Sequence, residues 1–332
     1  MREALNTLFV HTEGTRLRLE GDCVRADCEG APPRRMPLLR LDSIVVFGSV
    51  GISSELVHRC GLDGRTIVWM TRSGRFTGRL QGPMTGNVLL RIDQQKAHFD
   101  PKARLELARM FVAGKLRSCV HFARDAARYR PGETLPSSPD ALLAQLQAAR
   151  EARDLDELLG TEGQGSRLHF ANLRWSIRGL TMGERTRRPP LDGPNAVLGF
   201  LYGLLRSQCT GALEAIGLDP QIGYLHSLRP GRPALALDLM EEFRPIVDRL
   251  CVTLCNRRQV TTGDFAKEPS GAWSLTEDGR RTVIASWQEQ NERGARSTAV
   301  RGAQPFRVIP HVQARVLARV IRGDLPVYVP HG

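Results

Sequence analysis

The sequence lacks the features that would place it in a membrane or outside the cell. No apolar run approaches the about 18 residues that a membrane-spanning helix needs, and the first residues, MREALNTLFVHTEG, contain no long apolar stretch of the kind found in signal peptides. Cys-x-x-Cys pairs are also absent, and the number of cysteines is odd. These absences predict a cytoplasmic protein without membrane contact, in a reducing compartment.

The cysteines are interpreted as structural. Cys251 and Cys255 lie four residues apart in an apolar helical stretch, where packing in the core is favoured over a soft-metal site. Cys23 and Cys28, near the N-terminus, are treated in the same way.

Acidic residues are fewer than basic residues. The sequence has 47 Lys and Arg residues against 35 Asp and Glu, which gives a formal net charge of +12. An excess of this size suits a polyanionic partner, because each cation placed on a phosphate releases a bound counterion. A basic protein whose charge serves only solubility is the alternative. Charge by itself therefore favours nucleic acid as a partner without indicating any chemistry.

The pattern of hydrophobic residues predicts an α+β fold, with a small β-rich N-terminal domain (residues 1–88) followed by a larger, all-helical domain (residues 89–332). Short β-type runs between Gly, Asp and Pro turns predict strands at 8–11, 16–20, 43–47, 66–70 and 75–82, with a short helix at 53–60. Helical periodicity predicts helices at 101–129, 141–159, 166–180, 195–211, 235–256, 281–290 and 310–322. A small hairpin around residues 272–274 is the one β element considered there.

Two segments of the second domain carry isolated residues that suit metal chemistry. In LLGTEGQGSRLHF, Glu162 precedes glycines near an expected helix start, where small residues permit close approach of another backbone or a ligand. A first-turn Glu that favours a helix N-terminus is the alternative, and on this segment alone the preferred one. In IGYLHSLRPGRP, His226 has a side chain that binds Mn²⁺ or Zn²⁺ or carries a proton. A hydrogen-bonded structural histidine is the alternative.

A third segment, PALALDLMEEFRPIVDRL, places carboxylates beside apolar residues. Asp238 and Glu241 share a face of the expected helix, and Glu242 follows. Like charges next to a buried surface need neutralisation, by a divalent cation or by a residue such as Arg244. An ordinary salt-bridged helix is the alternative, and Pro245 predicts a kink just beyond the carboxylates. Together, the three segments suit a divalent metal that acts on a phosphodiester.

The order of these segments resembles the CRISPR adaptation integrase family. The matching pieces are Glu162-Gly163, the pattern R-R-P-P-x-D-x-x-N-A-x-x-x-F-x-Y from Arg187 to Tyr202, the pattern G-L-D-P-x-x-G-x-x-H from Gly217 to His226, and the pattern L-x-L-D-L-M-E-x-F-R-P from Leu235 to Pro245. The matching core spans residues 158–257, and the flanking segments are similar to the subtype I-C branch.

The resemblance implies a β-rich domain that forms a homodimer and a helical domain that is catalytic. It implies that Glu162, His226 and Glu241 hold Mg²⁺ or Mn²⁺, with Asp238 as an additional acidic residue close to the site. It also implies a complex with DNA and with a small ferredoxin-like adaptation protein. The candidate DNA contacts are basic residues near these motifs: Arg187, Arg188, Arg229, Arg232, Arg244 and Lys267.

In the reaction that this resemblance implies, the 3′-hydroxyl of a captured protospacer attacks a phosphodiester at a repeat boundary of a CRISPR array. One bond forms as another breaks, so no external energy source is needed, and nicking of branched DNA would use the same site. Two alternatives are a non-catalytic DNA-binding scaffold and a metal-dependent RNA nuclease of unrelated biology.

Overall fold

The first part of the chain is built from two four-stranded sheets. The computed structural model describes residues 7–72, 74, 76–80, 82, 88–297 and 302–331. The elements here are β1 (Thr7–Val10), β2 (Arg16–Glu20), β3 (Cys23–Cys28), β4 (Ala31–Pro37), β5 (Ser43–Phe47), β6 (Gly51–Ile52), α1 (Ser54–Leu62), β7 (Thr66–Met70) and β8 (Phe76–Leu80). One sheet has the order β1-β5-β7-β8, with the first three strands parallel and β8 antiparallel. The other has the order β4-β3-β2-β6. The predicted β-rich beginning is confirmed, and residues 75 and 81 of the last predicted strand lie outside the described part.

Strand β5 separates two hydrophobic cores. Successive side chains of a strand point to opposite faces, and here Ile44 and Val46 pack with α1 and the second sheet. Val45 and Phe47 instead join a larger core that is formed mostly by helices. This burial on both faces explains why the run reads as continuously apolar, as central parallel strands do.

The second part of the chain is mostly helical. Its helices are α2 (Val88–Phe99), α3 (Pro101–Tyr129), α4 (Pro139–Glu151), α5 (Leu155–Ser176), α6 (Gly193–Ile216), α7 (Ala234–Met240), α8 (Arg244–Asn256), α9 (Glu277–Glu292) and α10 (Ile309–Ile321). Two small antiparallel pairs lie among them, β9 (Phe265–Lys267) with β10 (Trp273–Leu275) and β11 (Gly294–Arg296) with β12 (Ala303–Pro305). Among the described helices, none has the length and apolar character to cross a bilayer.

The α+β class and the hairpin near residue 273 are confirmed, but the expectation of an all-helical second domain is wrong. The pair β11 and β12 consists of three-residue strands, which are too short to show a periodic pattern. Cys251 and Cys255 are fully buried in α8, in agreement with their interpretation as core residues. The domain boundary between residues 88 and 89 stays a prediction.

The helix boundaries around Glu162 differ from the prediction. The helix expected over 141–159 ends at Glu151, and Asp154 starts α5 by accepting a hydrogen bond from the backbone N–H of Glu157 at 2.8 Å. A capping side chain of this kind satisfies an N–H that has no partner within the helix, and so it decides where the helix begins. Helix α5 then continues through Gly163 and Gly165. Glu162 therefore lies about two turns inside α5, which excludes the interpretation as a first-turn residue.

Candidate active site

Helix α5 presents Glu162 to helix α3, and a glycine makes their close contact possible. A Cβ atom at Gly165 would overlap the side chain of Leu116 on α3, whereas one at Gly163 would meet nothing within 4 Å. The glycine at position 165 lowers helix propensity but lets the two helices approach. This approach places the Glu162 carboxylate in contact with the ammonium group of Lys115.

His226 lies in the loop between α6 and α7, where the buried carboxylate of Asp238 holds both its backbone and its ring. Oδ1 of Asp238 accepts the backbone N–H of His226 at 2.9 Å and lies 2.7 Å from Nδ1 of the ring. Oδ2 accepts the backbone N–H groups of Tyr224 at 2.5 Å and Leu225 at 3.1 Å. Because a carboxylate only accepts, the geometry assigns the ring proton to Nδ1 and leaves the lone pair of Nε2 directed at the pocket. Asp238 therefore lies behind His226 and positions it.

The tight path of this loop depends on Gly223 and on helix α2. A Cβ atom at Gly223 would lie 2.7 Å from both the carbonyl carbon of Ala234 and Oδ2 of Asp238. From the other side, Nε2 of Gln94 on α2 donates to the backbone carbonyl of Ile222 at 2.9 Å. Helix α2, which the sequence patterns did not predict, thus braces the loop that carries the histidine.

Glu241 reaches the pocket because the helix changes its winding at this residue. Helix α7 ends at Met240, Glu241–Phe243 form a 3-10 turn, and α8 begins at Arg244. Pro245, in the first turn of α8, has no backbone N–H, and its ring would clash with the carbonyl four residues earlier. A continuous α-helix is therefore excluded, and the predicted kink is found as a 3-10 turn just before the proline.

Glu242 faces away from the pocket and holds the C-terminal segment. Its carboxylate accepts hydrogen bonds from the hydroxyl of Tyr328, from the backbone N–H of His331 at 2.6 Å and from Nε2 of Gln313 at 3.2 Å. Burial raises the pKa of Glu242 to about 7, although these donors act in the opposite direction. Neighbouring glutamates thus have separate environments, and only Glu241 lines the pocket.

Glu162, His226 and Glu241 line one pocket, with Lys115 between the two carboxylates. Nζ of Lys115 contacts Oε1 of Glu162 and lies 2.8 Å from Oε2 of Glu241. Nε2 of His226 lies 3.9 Å from Oε1 of Glu241, which also accepts a hydrogen bond from Nε of Arg244 at 2.8 Å. Burial acts to raise the pKa of Glu241, but the charges of Arg244 and Lys115 outweigh it and lower the pKa to about 2. Glu241 is therefore ionised at neutral pH.

These side chains fit a divalent metal ion, although an ammonium group lies between two of them. Among the residues that the structure describes, no three His, Cys, Asp or Glu side chains are grouped closely enough to hold a metal as they stand. Two carboxylates and the free Nε2 of an imidazole are nevertheless donors that Mg²⁺ and Mn²⁺ accept. Lys115 shows that the space between the carboxylates already accommodates a cation. A metal held by both carboxylates would lie in the space that the ammonium group of Lys115 fills.

A second buried network lines another side of the same pocket. Oδ2 of Asp248 lies 2.7 Å from Nε2 of His169, and Oδ1 of Asp248 accepts a hydrogen bond from the hydroxyl of Tyr202. Burial acts to lower the pKa of His169, but its contacts with Cys119 and Asp248 prevail and raise the pKa to about 10. The guanidinium of Arg244 lies 4.8 Å from the centre of the Tyr202 ring, which is a cation–π contact. The network thus supports the arginine that pairs with Glu241.

The six basic residues predicted to contact DNA occupy different environments. Arg187 and Arg244 line the pocket, but the guanidinium of Arg244 is engaged by a carboxylate. Arg232 lies 3.3 Å from the hydroxyl of Ser227. The remaining three are exposed and lie outside the lining of the pocket: Arg188, Arg229 and Lys267.

Sequence reasoning missed Lys115 and Asp248. Lys115 follows Phe111 and precedes Cys119 by four residues each, so that helical spacing places it on the buried stripe of α3. A lysine on such a stripe needs a buried partner of opposite charge. This spacing could therefore have indicated that Lys115 pairs with buried carboxylates. Asp248 lies seven residues after Glu241, which is two helical turns, but the 3-10 turn between them breaks the regular spacing.

Comparison with known proteins shows which family the chain belongs to. The family model for the CRISPR associated protein Cas1 matches residues 8–289. The chain belongs to the Cas1 family. It is 42% identical over 339 residues to the CRISPR-associated endonuclease Cas1 1 of Moorella thermoacetica, and 41% identical over 343 residues to the CRISPR-associated endonuclease Cas1 2 of Rhodospirillum rubrum, with 99% of each chain covered in both comparisons. The family expected from the spaced motifs is confirmed, and it is one whose members are named endonucleases.

Solved structures confirm the Cas1 fold. A CAS1 protein from Thermotoga maritima superposes with a TM-score of 0.82 at 22% identity, covering 96% of this chain and 97% of that one. A casposase bound to integration product superposes with a TM-score of 0.85 at 19% identity, covering 98% and 93%. The Cas6-RT-Cas1–Cas2 complex contains a chain that matches with a TM-score of 0.82 at 19% identity, covering 99% of this chain and 36% of that one. At these identities the similarity establishes the architecture only.

Proposed function

We propose that this chain is a metal-dependent DNA endonuclease and the integrase of CRISPR adaptation. It would join the 3′-hydroxyl ends of a protospacer to the repeat boundary of a CRISPR array by transesterification. The proposal is supported by relatives that are named CRISPR-associated endonucleases and by a pocket in which Glu162, His226 and Glu241 meet.

The observation that carries the proposal is the orientation of His226. Asp238 accepts a hydrogen bond from Nδ1 of the ring. Nε2 faces Glu241, 3.9 Å from its Oε1. A metal-binding histidine is commonly oriented in this way, by a carboxylate that accepts its other N–H. A structural histidine would instead have both nitrogens satisfied by the protein.

In this proposal Glu162, His226 and Glu241 hold Mg²⁺ or Mn²⁺. When bound, such an ion would supply Lewis-acid polarisation of a phosphoryl oxygen and would help to orient the attacking hydroxyl. Asp238 keeps the proton of His226 on Nδ1, and Arg244 keeps Glu241 ionised. Arg187, at the pocket, and the more distant Arg188, Arg229, Arg232 and Lys267 are proposed to contact DNA phosphates, as cations that neutralise the backbone do.

The proposal includes two protein partners. One is a second copy of the chain, bound through the β-rich N-terminal part, and the other is a small ferredoxin-like adaptation protein. A Cas1–Cas2 assembly among the structures of the same fold supports the second partner. The subtype I-C relationship and the cytoplasmic location stay predictions.

The test is a joining and nicking assay on a branched DNA substrate. We expect the protein to cleave and rejoin this substrate with Mn²⁺ and to lose activity in EDTA. Glu162→Gln, which removes one negative charge while preserving shape, should lower the rate about 100-fold or more, the range seen when a group that acts on the reacting centre is removed. Glu151→Gln, on the exposed end of α4, is the matched control and should behave as the parent chain.

The alternatives give different results in the same assay. Activity that is unchanged in Glu162→Gln and His226→Ala, or that persists without metal, would contradict catalysis at this pocket and favour a DNA-binding scaffold. Faster cleavage of RNA than of branched DNA would favour an RNA nuclease.

A further inference from the structure

Lys115 is the only described side chain that contacts the carboxylates of both Glu162 and Glu241. Its ammonium group touches Oε1 of Glu162 and lies 2.8 Å from Oε2 of Glu241. The residue is 6% exposed and projects from α3, whereas its two partners come from α5 and from the 3-10 turn after α7. One lysine thus links three separate elements at the centre of the pocket.

We propose that Lys115 is a resident cation that occupies the metal position in the metal-free protein, and that a divalent ion binds only by displacing its ammonium group. The inference rests on the proposed function, because it concerns the same carboxylates. It adds a residue that sets the metal affinity of the site.

The space between Glu162 and Glu241 holds only one cation. An ion that bound both Glu162 and Glu241 would have to lie between them, where the Nζ atom of Lys115 lies. Two cations cannot share this position, since each needs direct contact with the same oxygens. The four-carbon stem of lysine is flexible, so we expect rotation of its side chain, and not movement of α3, to clear the position.

The charges around the carboxylates also favour exchange of one cation for another. Glu162 and Glu241 are balanced by the cations of Lys115 and Arg244. The nearby carboxylate of Asp248 has its own partner in His169, so these paired charges balance without metal. A buried carboxylate without a partner is costly, and Lys115 removes this cost while no metal is bound. A divalent ion added beside both cations would leave an excess of positive charge in a buried space. Release of the ammonium reduces that excess.

In this proposal the site is stable without metal, and a divalent ion binds against an internal competitor. We expect Arg244 to stay paired with Glu241 when metal binds, because its hydrogen bond goes to Oε1, whereas Lys115 lies at Oε2. The exchange thus involves a single side chain.

The experiment measures metal binding through thermal unfolding of the full chain, without DNA. Wild type, Lys115→Met and Lys102→Met are melted in EDTA and across a Mn²⁺ titration. Lys102 lies on the same helix, is exposed, and makes its capping contact through the backbone only, so Lys102→Met is the matched control. We expect Lys115→Met to melt lower than wild type in EDTA and to bind Mn²⁺ about 10- to 100-fold more tightly, the change expected when one opposing charge-assisted hydrogen bond is removed.

Equal or weaker Mn²⁺ affinity in Lys115→Met would overturn the inference. If this variant does not fold in EDTA, Lys115→Gln takes its place, since its amide still donates to one carboxylate, and the same tightening is expected. Lys115→Arg, which keeps the charge, should not bind more tightly than wild type.

Failure of the proposed function is distinguishable in the same data. If wild type shows no Mn²⁺-dependent rise in melting temperature, or if Glu162→Gln leaves that rise intact, the metal site itself is wrong. If wild type shows a rise that Glu162→Gln abolishes while Lys115→Met leaves the affinity unchanged, only the role of Lys115 is wrong.

Discussion

Replacement of Asp238 by Asn tests how the buried carboxylate controls the histidine. The carboxylate accepts three backbone N–H groups and lies 2.7 Å from Nδ1 of His226. Asn offers one oxygen and one NH₂ group, so with the NH₂ turned toward Tyr224 and Leu225 two backbone N–H donors face another donor. With the NH₂ turned toward His226, one backbone N–H does so, because the imidazole can change its tautomer. With about 1.5–3 kcal/mol for each buried hydrogen bond to a charged group, we expect Asp238→Asn to lower the free energy of unfolding by about 1.5–6 kcal/mol.

The substitution also changes the histidine that faces the pocket. If the NH₂ group of the introduced amide turns toward the ring, Nδ1 of His226 becomes the acceptor and the proton moves to Nε2. Nε2 then has no lone pair to offer a metal. Loss of such an orienting partner commonly weakens metal binding about 10- to 100-fold.

Both effects are measured on one preparation. Urea unfolding gives the free energy of unfolding, and a Mn²⁺ titration followed by melting temperature gives the affinity. Asp278→Asn, at a residue whose side chain is 81% exposed and forms a surface pair with Arg281, is the control and should change neither quantity appreciably. A folded Asp238→Asn variant with wild-type Mn²⁺ affinity would refute the argument that Asp238 sets the proton position of His226.

Three further predictions concern packing and ionisation. In urea unfolding, Gly165→Ala should lower the free energy of unfolding by about 1–3 kcal/mol, because the added methyl overlaps Leu116. Gly163→Ala faces open space and should raise the free energy of unfolding by about 0.5–1 kcal/mol. Equal effects of the two substitutions would contradict the close crossing of α5 and α3. Gly223→Ala should destabilise the chain and weaken Mn²⁺ binding together, since the methyl approaches Asp238; melting curves with and without Mn²⁺ measure both. The pKa of His169 is raised to about 10 from 6.5, so its pairing stabilises fully below pH 6.5 and is lost as pH rises toward 10. His169→Gln should flatten that decline in urea unfolding at pH 6.5 and 9.5, and an unchanged decline would contradict the pairing.

Local patterns in the sequence were sufficient to predict the helices and strands whose bounds depend only on residues within or next to them. Helix α3 was predicted over residues 101–129 and is found over that range, because Asp100 caps it and Pro101 occupies its first turn. Strand β5 was predicted over residues 43–47 and is found there, since a run of β-branched residues between turns has one favoured conformation. The break between α4 and α5 was missed because it depends on one capping aspartate within a helix-forming composition.

Long-range contacts decided what local patterns could not. Helix α2 has a weak periodic pattern, and its position is explained by Gln94, which bonds the loop before α7 across more than a hundred residues of chain. In the sequence, Gly165 indicates a weak point in a helix, because glycine has low helix propensity. Its close contact with Leu116 of α3 explains why a glycine lies there. The role of Lys115 requires three elements to be known at once.

The sequence by itself determined the α+β order and, through motifs at set spacings, the family. The resemblance to that family then implied Glu162, His226 and Glu241 as the residues to examine. Only the tertiary structure decided how they are arranged. It placed Asp238 behind His226, separated Glu242 from Glu241 and set a lysine between two carboxylates. The physical reason is that pKa values, hydrogen-bond partners and charge balance depend on distances between residues far apart in the chain, which no local pattern specifies.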